Sequence, residues 1–153
     1  MNKLENNKEI VRKFITEALP TNDVDYVREV VSKDAVTRRA GFAALYEATG
    51  DAIPKDGNFL EWMRDGWAVL HGALSDQKVD MKHIVAEGNK VIAQFHYYVT
   101  HKGTFVGMPA TNKRIEWDEV GIFEFNDDGQ IIDMWYMCEE IKLAMEVGFK
   151  LDK

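Results

Sequence analysis

The chain has 153 residues, 46% hydrophobic and 29% charged, enough for one domain's core beneath a well-solvated surface. Its net charge of −7, from 26 acidic and 19 basic residues with no Lys/Arg stripe, speaks against a polyphosphate partner and so against nucleic acid. The single cysteine, Cys138, rules out an intramolecular disulfide and a multi-cysteine metal site, which fits a reducing cytoplasm.

Met1 to Asn7 is polar, without the apolar stretch of a secretory leader, and no run approaches the ~18 apolar residues of a membrane span. Ile10, Val11, Phe14, Ile15, Ala18 and Leu19 then recur at helical spacing, and Pro20 is expected to stop that helix. Asn22 or Asp23 caps a second helix with the stripe Val24, Val27, Val30 and Val31. Ala35 to Thr37 reads as a short strand. In the mixed stretch that follows, Phe42, Leu45 and Tyr46 suggest one or two helical turns, and Gly50, Pro54 and Gly57 break any long element. A third helix starts at Asn58 and carries Phe59, Leu60, Met63, Trp67, Leu70 and Leu74 on its apolar face.

From Gln77 the period changes to two. Val79, Met81, His83 and Val85 alternate, and Glu87-Gly88-Asn89 is a turn signal. Lys90 to His101 is a long strand, followed by an irregular connection marked by Gly103, Gly107 and Pro109. Arg114 to Phe125 is another strand, with Ile115, Trp117, Glu119, Gly121, Phe123 and Phe125 on one face. Asn126 to Gly129 is a hairpin turn, Gln130 to Cys138 the last strand, and Glu140 to Phe149 a closing helix. Helices first and strands later predict one α+β domain over residues 1–153, with three N-terminal helices on one face of an antiparallel meander of about four strands.

No phosphate loop, zinc-protease motif or nucleophile elbow is present, and the four histidines lack metal-ligand spacing. His96 and His101, five apart in a strand, point to opposite faces. Two carboxylates stand among aromatic strand residues: Glu119 beside Trp117 and Phe123, and Glu139 after Trp135 and Met137. Apolar surroundings penalise the ionised form and raise a carboxyl pKa toward neutrality, which suits acid/base work. The competing reading puts each at a solvated strand end. His101, at its strand's end, is either a donor to a carbonyl oxygen or a solvated histidine. Arg38 and Arg39 either hold an anionic group or lie on the surface. Tyr97 and Trp62 either line a pocket or fill the core. Cys138 reads as a small hydrophobe.

The segment Thr100-His101-Lys102-Gly103-Thr104-Phe105-Val106-Gly107-Met108-Pro109-Ala110-Thr111 resembles the "THxGxFxGxPxT" segment of SnoaL-like polyketide cyclases and ester cyclase-like proteins, of the nuclear transport factor two-like superfamily. Ile122 to Phe125 and Asp128 to Trp135 are similar to that family's "IFRF…DGKIxExW", and Glu139 through Gly148 to its "DxxGLLxQLG". The first helix and Asp23 to Thr37 follow its opening. About residues 40–56 stand outside the resemblance.

The resemblance implies a cone, a strongly bent sheet wrapped around helices that enclose a small-molecule pocket, and a homodimer paired through the sheet. Ile92, Val120, Ile122, Ile132 and Met134 are expected on that outer face. It also implies an acid/base residue after the final Trp, working in an intramolecular aldol closure without metal or cofactor. Glu139 matches that position, one methylene longer than the family's Asp, and Arg38 stands where relatives often carry His. The implied reading is an acid/base enzyme on a partly apolar carbonyl compound. Glu139 moves the proton, His101 polarises an oxygen, and Trp117, Trp135 and Tyr97 shape the cavity. Residues 40–56, which depart from the family pattern and carry three helix breakers among apolar residues, are expected to form a mobile cover over the pocket mouth. The alternatives are a non-catalytic ligand-binding module and a scaffold with a filled interior.

Overall fold

The computed structural model describes residues 2–39, 42–51 and 55–153. Helix α1 (Lys3–Lys13) starts at Asn2, whose side chain accepts the Glu5 N–H. Pro20 does not stop the helix. A π-helical turn (Phe14–Ala18) widens the backbone ahead of it, and Pro20 falls in the first turn of α2 (Leu19–Thr21), where its missing N–H costs little. The chain turns at Asn22, with φ 56°, and Asp23 caps α3 (Val24–Val30) by accepting the Tyr26 N–H. Asn58 caps α5 (Phe59–Trp62), which continues through a second π-helical turn (Met63–Trp67) into α6 (Ala68–Ala73).

The strands are β1 (Val31–Arg38), β2 (Asp56–Asn58), β3 (Leu74–Glu87), β4 (Lys90–His101), β5 (Arg114–Phe125) and β6 (Ile131–Cys138). They form one curved, unclosed sheet in the order β2-β1-β6-β5-β4-β3. The expected four-strand meander is thus extended at one edge by β1 and β2, and β1 runs parallel to β6, with Thr37 opposite Met134. Helices α1, α2, α5 and α6 pack on the concave face, against β1, β3 and β4. Short α4 (Ala43–Thr49) and closing α7 (Glu140–Val147) meet each other at one end of the cone. Among the described residues, no helix is long and apolar enough to cross a membrane.

Inward and outward residues alternate along β4 and β5 as their period predicts. Gly121 makes room for an aromatic neighbour, since a Cβ there would lie 2.7 Å from the Phe123 ring. Strand β6 breaks the alternation. Its register to β5 slips between Phe125↔Ile131 and Glu124↔Asp133, so one extra residue is inserted at the strand's start. Met134 and Tyr136 therefore point inward, and Trp135 and Met137 point outward. Met134, expected on the outer face, is fully buried in the core.

Candidate functional site

The concave face and the helices enclose an aromatic cavity of about 40 Å³. Its back wall is a sheet pair, Tyr97 on β4 and Trp117 on β5, stacked with ring centres 5.0 Å apart and planes 9° apart. The helical wall comes from α5 and the turn after it. Trp62 stacks on Phe59 at 5.9 Å and meets Trp67 at 5.4 Å. Phe42 closes a third side, edge-on to Trp117 at 5.1 Å and to Phe105 at 5.5 Å. It does so from a left-handed backbone, φ 57°, which is strained for a bulky residue.

One carboxyl enters this wall. Glu119, on β5 two residues from Trp117, is 6% exposed, and among the described residues nothing hydrogen-bonds its side chain. Burial, reinforced by the charge of nearby Glu140, pushes its pKa up to about 8. Burial also pushes the Tyr97 and Tyr136 hydroxyls and the Cys138 thiol up, with Glu119 adding to each shift. Four further cavity atoms are buried without a partner among the described residues: Thr37 Oγ1, Trp62 Nε1, Gln77 Oε1 and Trp117 Nε1.

Of the residues singled out in the sequence, Trp62, Tyr97, Trp117 and Glu119 line the cavity together. Trp135 does not. It sits half-buried on the outer face opposite Ile122, turned away by the irregularity in β6. Glu139 lies exposed past the end of the same strand, where its carboxylate accepts the Asp118 N–H at 2.7 Å. The apolar enclosure expected around it is absent. Arg38 is exposed and paired with Asp133 at 3.1 Å, so it faces no cavity. Arg39 instead binds Glu140 at 3.0 Å.

His101 is fully buried at the end of β4 but does not line the cavity. The Thr111 N–H donates to its Nδ1 at 3.3 Å, and the Thr111 hydroxyl lies 3.0 Å from the same atom, so the ring pins the 102–113 connection. Its pKa is lowered by burial, partly opposed by the Gly103 and Met108 carbonyls. Among the described residues, no group of three or more His, Cys, Asp or Glu side chains could hold a metal ion.

Sequence reasoning did not single out Thr37, Gln77 and Tyr136 as wall residues. Alternation from Ala35 on β1 would have found Thr37. Gln77 and Tyr136 sit beside register shifts in β3 and β6 that no simple period reveals. Within the stretch expected to be a cover, Ala40, Gly41 and residues 52–54 lie outside the described residues. Of the described part, Phe42 lines the cavity, Tyr46 is buried, and the Leu45 N–H donates to the Glu140 carboxylate at 2.7 Å.

A family model described as SnoaL-like polyketide cyclase matches residues 9–147. Comparison with proteins of curated function gave no match. Among solved structures, the chain is similar to a proposed SnoaL-like polyketide cyclase from Jannaschia sp. CCS1, with 18% identity and TM-score 0.79 over 99% of this chain and 97% of that one. It is also similar to AclR, a proposed hydroxylase from Streptomyces galilaeus, with 20% identity and TM-score 0.78 over 97% and 89%. A third is IdmH, a proposed polyketide cyclase from Streptomyces antibioticus, with 22% identity and TM-score 0.75 over 94% and 99%. These identities support a shared fold.

Proposed function

From the premise that the chain belongs to the SnoaL-like polyketide cyclase family, we propose that it is an acid/base enzyme on a small, partly apolar carbonyl compound, with Glu119 as the proton-moving group. The observation that carries this reading is a buried carboxyl in an aromatic cavity, its pKa pushed up to about 8. A group with a pKa near working pH exchanges protons in both directions. Glu119 takes the role that the sequence match assigned to Glu139, because Glu139 lies in water outside the cavity.

The chemistry needs only residues of this chain. The carboxylate form of Glu119 takes a proton from the carbon next to the substrate carbonyl. The C–H electron pair moves into the C–C bond and onto the carbonyl oxygen. Trp62 or Trp117 N–H donates to that oxygen as it becomes negative. The protonated carboxyl then returns its proton to carbon in isomerisation, to the departing oxygen as the β C–O bond breaks in elimination, or to the alkoxide formed when the enolate carbon bonds a second carbonyl carbon in ring closure.

Deuterium exchange from solvent into the α-carbon of small ketones tests this by NMR. Wild-type protein is expected to catalyse exchange, Glu119→Gln to lose about 100-fold or more, and Glu139→Gln to stay near wild type. Loss only in Glu139→Gln would return the role to that residue. Tight ketone binding with no exchange in wild type would favour the ligand-binding module.

Two further parts of the reading concern the whole chain. The protein acts as a homodimer through the outer sheet face, supported by the exposed apolar side chains of Val85, Ile92 and Met137. It works in a reducing cytoplasm, supported by its one free cysteine.

A further inference from the structure

The cavity offers an unusual set of unpaired groups. Trp67 lies beside Trp62, and its indole N–H donates to the Leu19 carbonyl at 3.0 Å. The indole N–H groups of Trp62 and Trp117 find no such acceptor among the described residues. An indole nitrogen only donates, so both require an acceptor atom from a cavity occupant. Gln77 is oriented by its own amide: Nε2 donates to the Leu74 carbonyl at 3.0 Å, which leaves Oε1 unpaired at the cavity. That atom only accepts, so it requires a donor. Buried polar groups in folded proteins are almost always paired, and these three, with Thr37 Oγ1 as a fourth, all on residues that line one cavity, mark a complementary ligand.

Charge narrows the class. No Lys, Arg or His lines the cavity among the described residues, and the one carboxyl there is that of Glu119. An anion would enter beside a carboxyl with no counter-charge. A cation would find aromatic faces and Glu119, but it would leave both indole donors without an acceptor. The space open to water centres, about 40 Å³, corresponds to roughly three water molecules and so to a ligand of roughly five heavy atoms.

We propose that the cavity selects a small uncharged hydroxy-ketone, its carbonyl oxygen accepting from Trp62 and Trp117 and its hydroxyl donating to Gln77. This rests on reading the cavity as the ligand site, and it adds the specificity-determining residues and the ligand class.

The test uses protein with ¹⁵N-labelled tryptophan and four probes: hydroxyacetone, butanone, lactate and tetramethylammonium. Hydroxyacetone is expected to move the Trp62 and Trp117 indole resonances and leave Trp135 unmoved. It should bind about two- to tenfold tighter than butanone, the value of one neutral hydrogen bond. In Gln77→Leu that advantage vanishes while butanone binding persists. Trp62→Phe weakens both ketones by a similar factor, which guards against a folding defect in one variant. Lactate and tetramethylammonium should bind at least tenfold more weakly than hydroxyacetone. The inference is overturned if either ion binds as tightly, if the hydroxyl advantage survives in Gln77→Leu, or if no probe moves Trp62 or Trp117. Binding in the expected order without α-carbon exchange leaves this selection standing and removes only the acid/base reading.

Discussion

Glu119 is placed by strand alternation, and its chemistry follows from what surrounds it. Burial is the main cause of its raised pKa, and the charge of Glu140 is the second. The consequence for stability has a definite sign. The unfolded carboxyl titrates near 4.5 and the folded one near 8. Between those values the folded state keeps a proton that the unfolded state has released, so stability falls as pH rises through the window. Glu119→Gln has no proton to lose. It is expected to gain on the order of a few kcal/mol over wild type at pH 8 and close to nothing at pH 4. Urea unfolding of both proteins at pH 4, 6 and 8 measures the difference, and a gap that does not widen with pH contradicts the assignment. This residue was legible in the sequence because β5 keeps a strict period of two over its whole length.

At the scale of elements, the sequence located the β4 and β5 strands and the helix caps, since each follows from short-range chemistry. Asn58 caps α5, and β4 spans Lys90–His101 as alternation predicts. What stayed hidden depends on long-range pairing or on a single inserted residue. The parallel β1–β6 contact joins segments nearly a hundred residues apart, which no local pattern encodes. The irregularity at the start of β6 exchanges the two faces of the strand, sending Tyr136 inward and Trp135 outward and leaving Glu139 exposed. Helix α4 and the chain before it are also tied from afar: Glu140 on α7 binds Arg39 at 3.0 Å and accepts the Leu45 N–H at 2.7 Å. Hydrogen bonds to charged groups contribute about 1.5–3 kcal/mol, so Glu140→Ala should speed hydrogen exchange of the Leu45 amide about 10- to 100-fold. Unchanged exchange at Leu45 would mean that α4 is held by its apolar contacts alone.

At the scale of the whole molecule, the sheet is apolar on both faces, and the helices cover only the concave one. Register places Val85, Ile92, Ile122 and Trp135 in one row across four strands of the outer face. The next row pairs Val120 with Met137. A second copy laid over these rows would hide the exposed apolar groups, and stable dimers bury about 800 Å² per partner. Wild-type protein at 10 µM, about the range where such pairs form, is expected to sediment as a dimer, and Ile92→Asp as a monomer with its fold intact by circular dichroism. A monomeric wild type would remove the dimer.

On the proposed reading, Glu119 inside the cone carries the acid/base chemistry of this chain. A carboxyl-carbon NMR titration of ¹³C-labelled protein, with the Glu119 signal assigned by its loss in Glu119→Gln, tests it most directly. A midpoint near 8 is expected. A midpoint at or below the ordinary carboxylate value near 4.5 would contradict it.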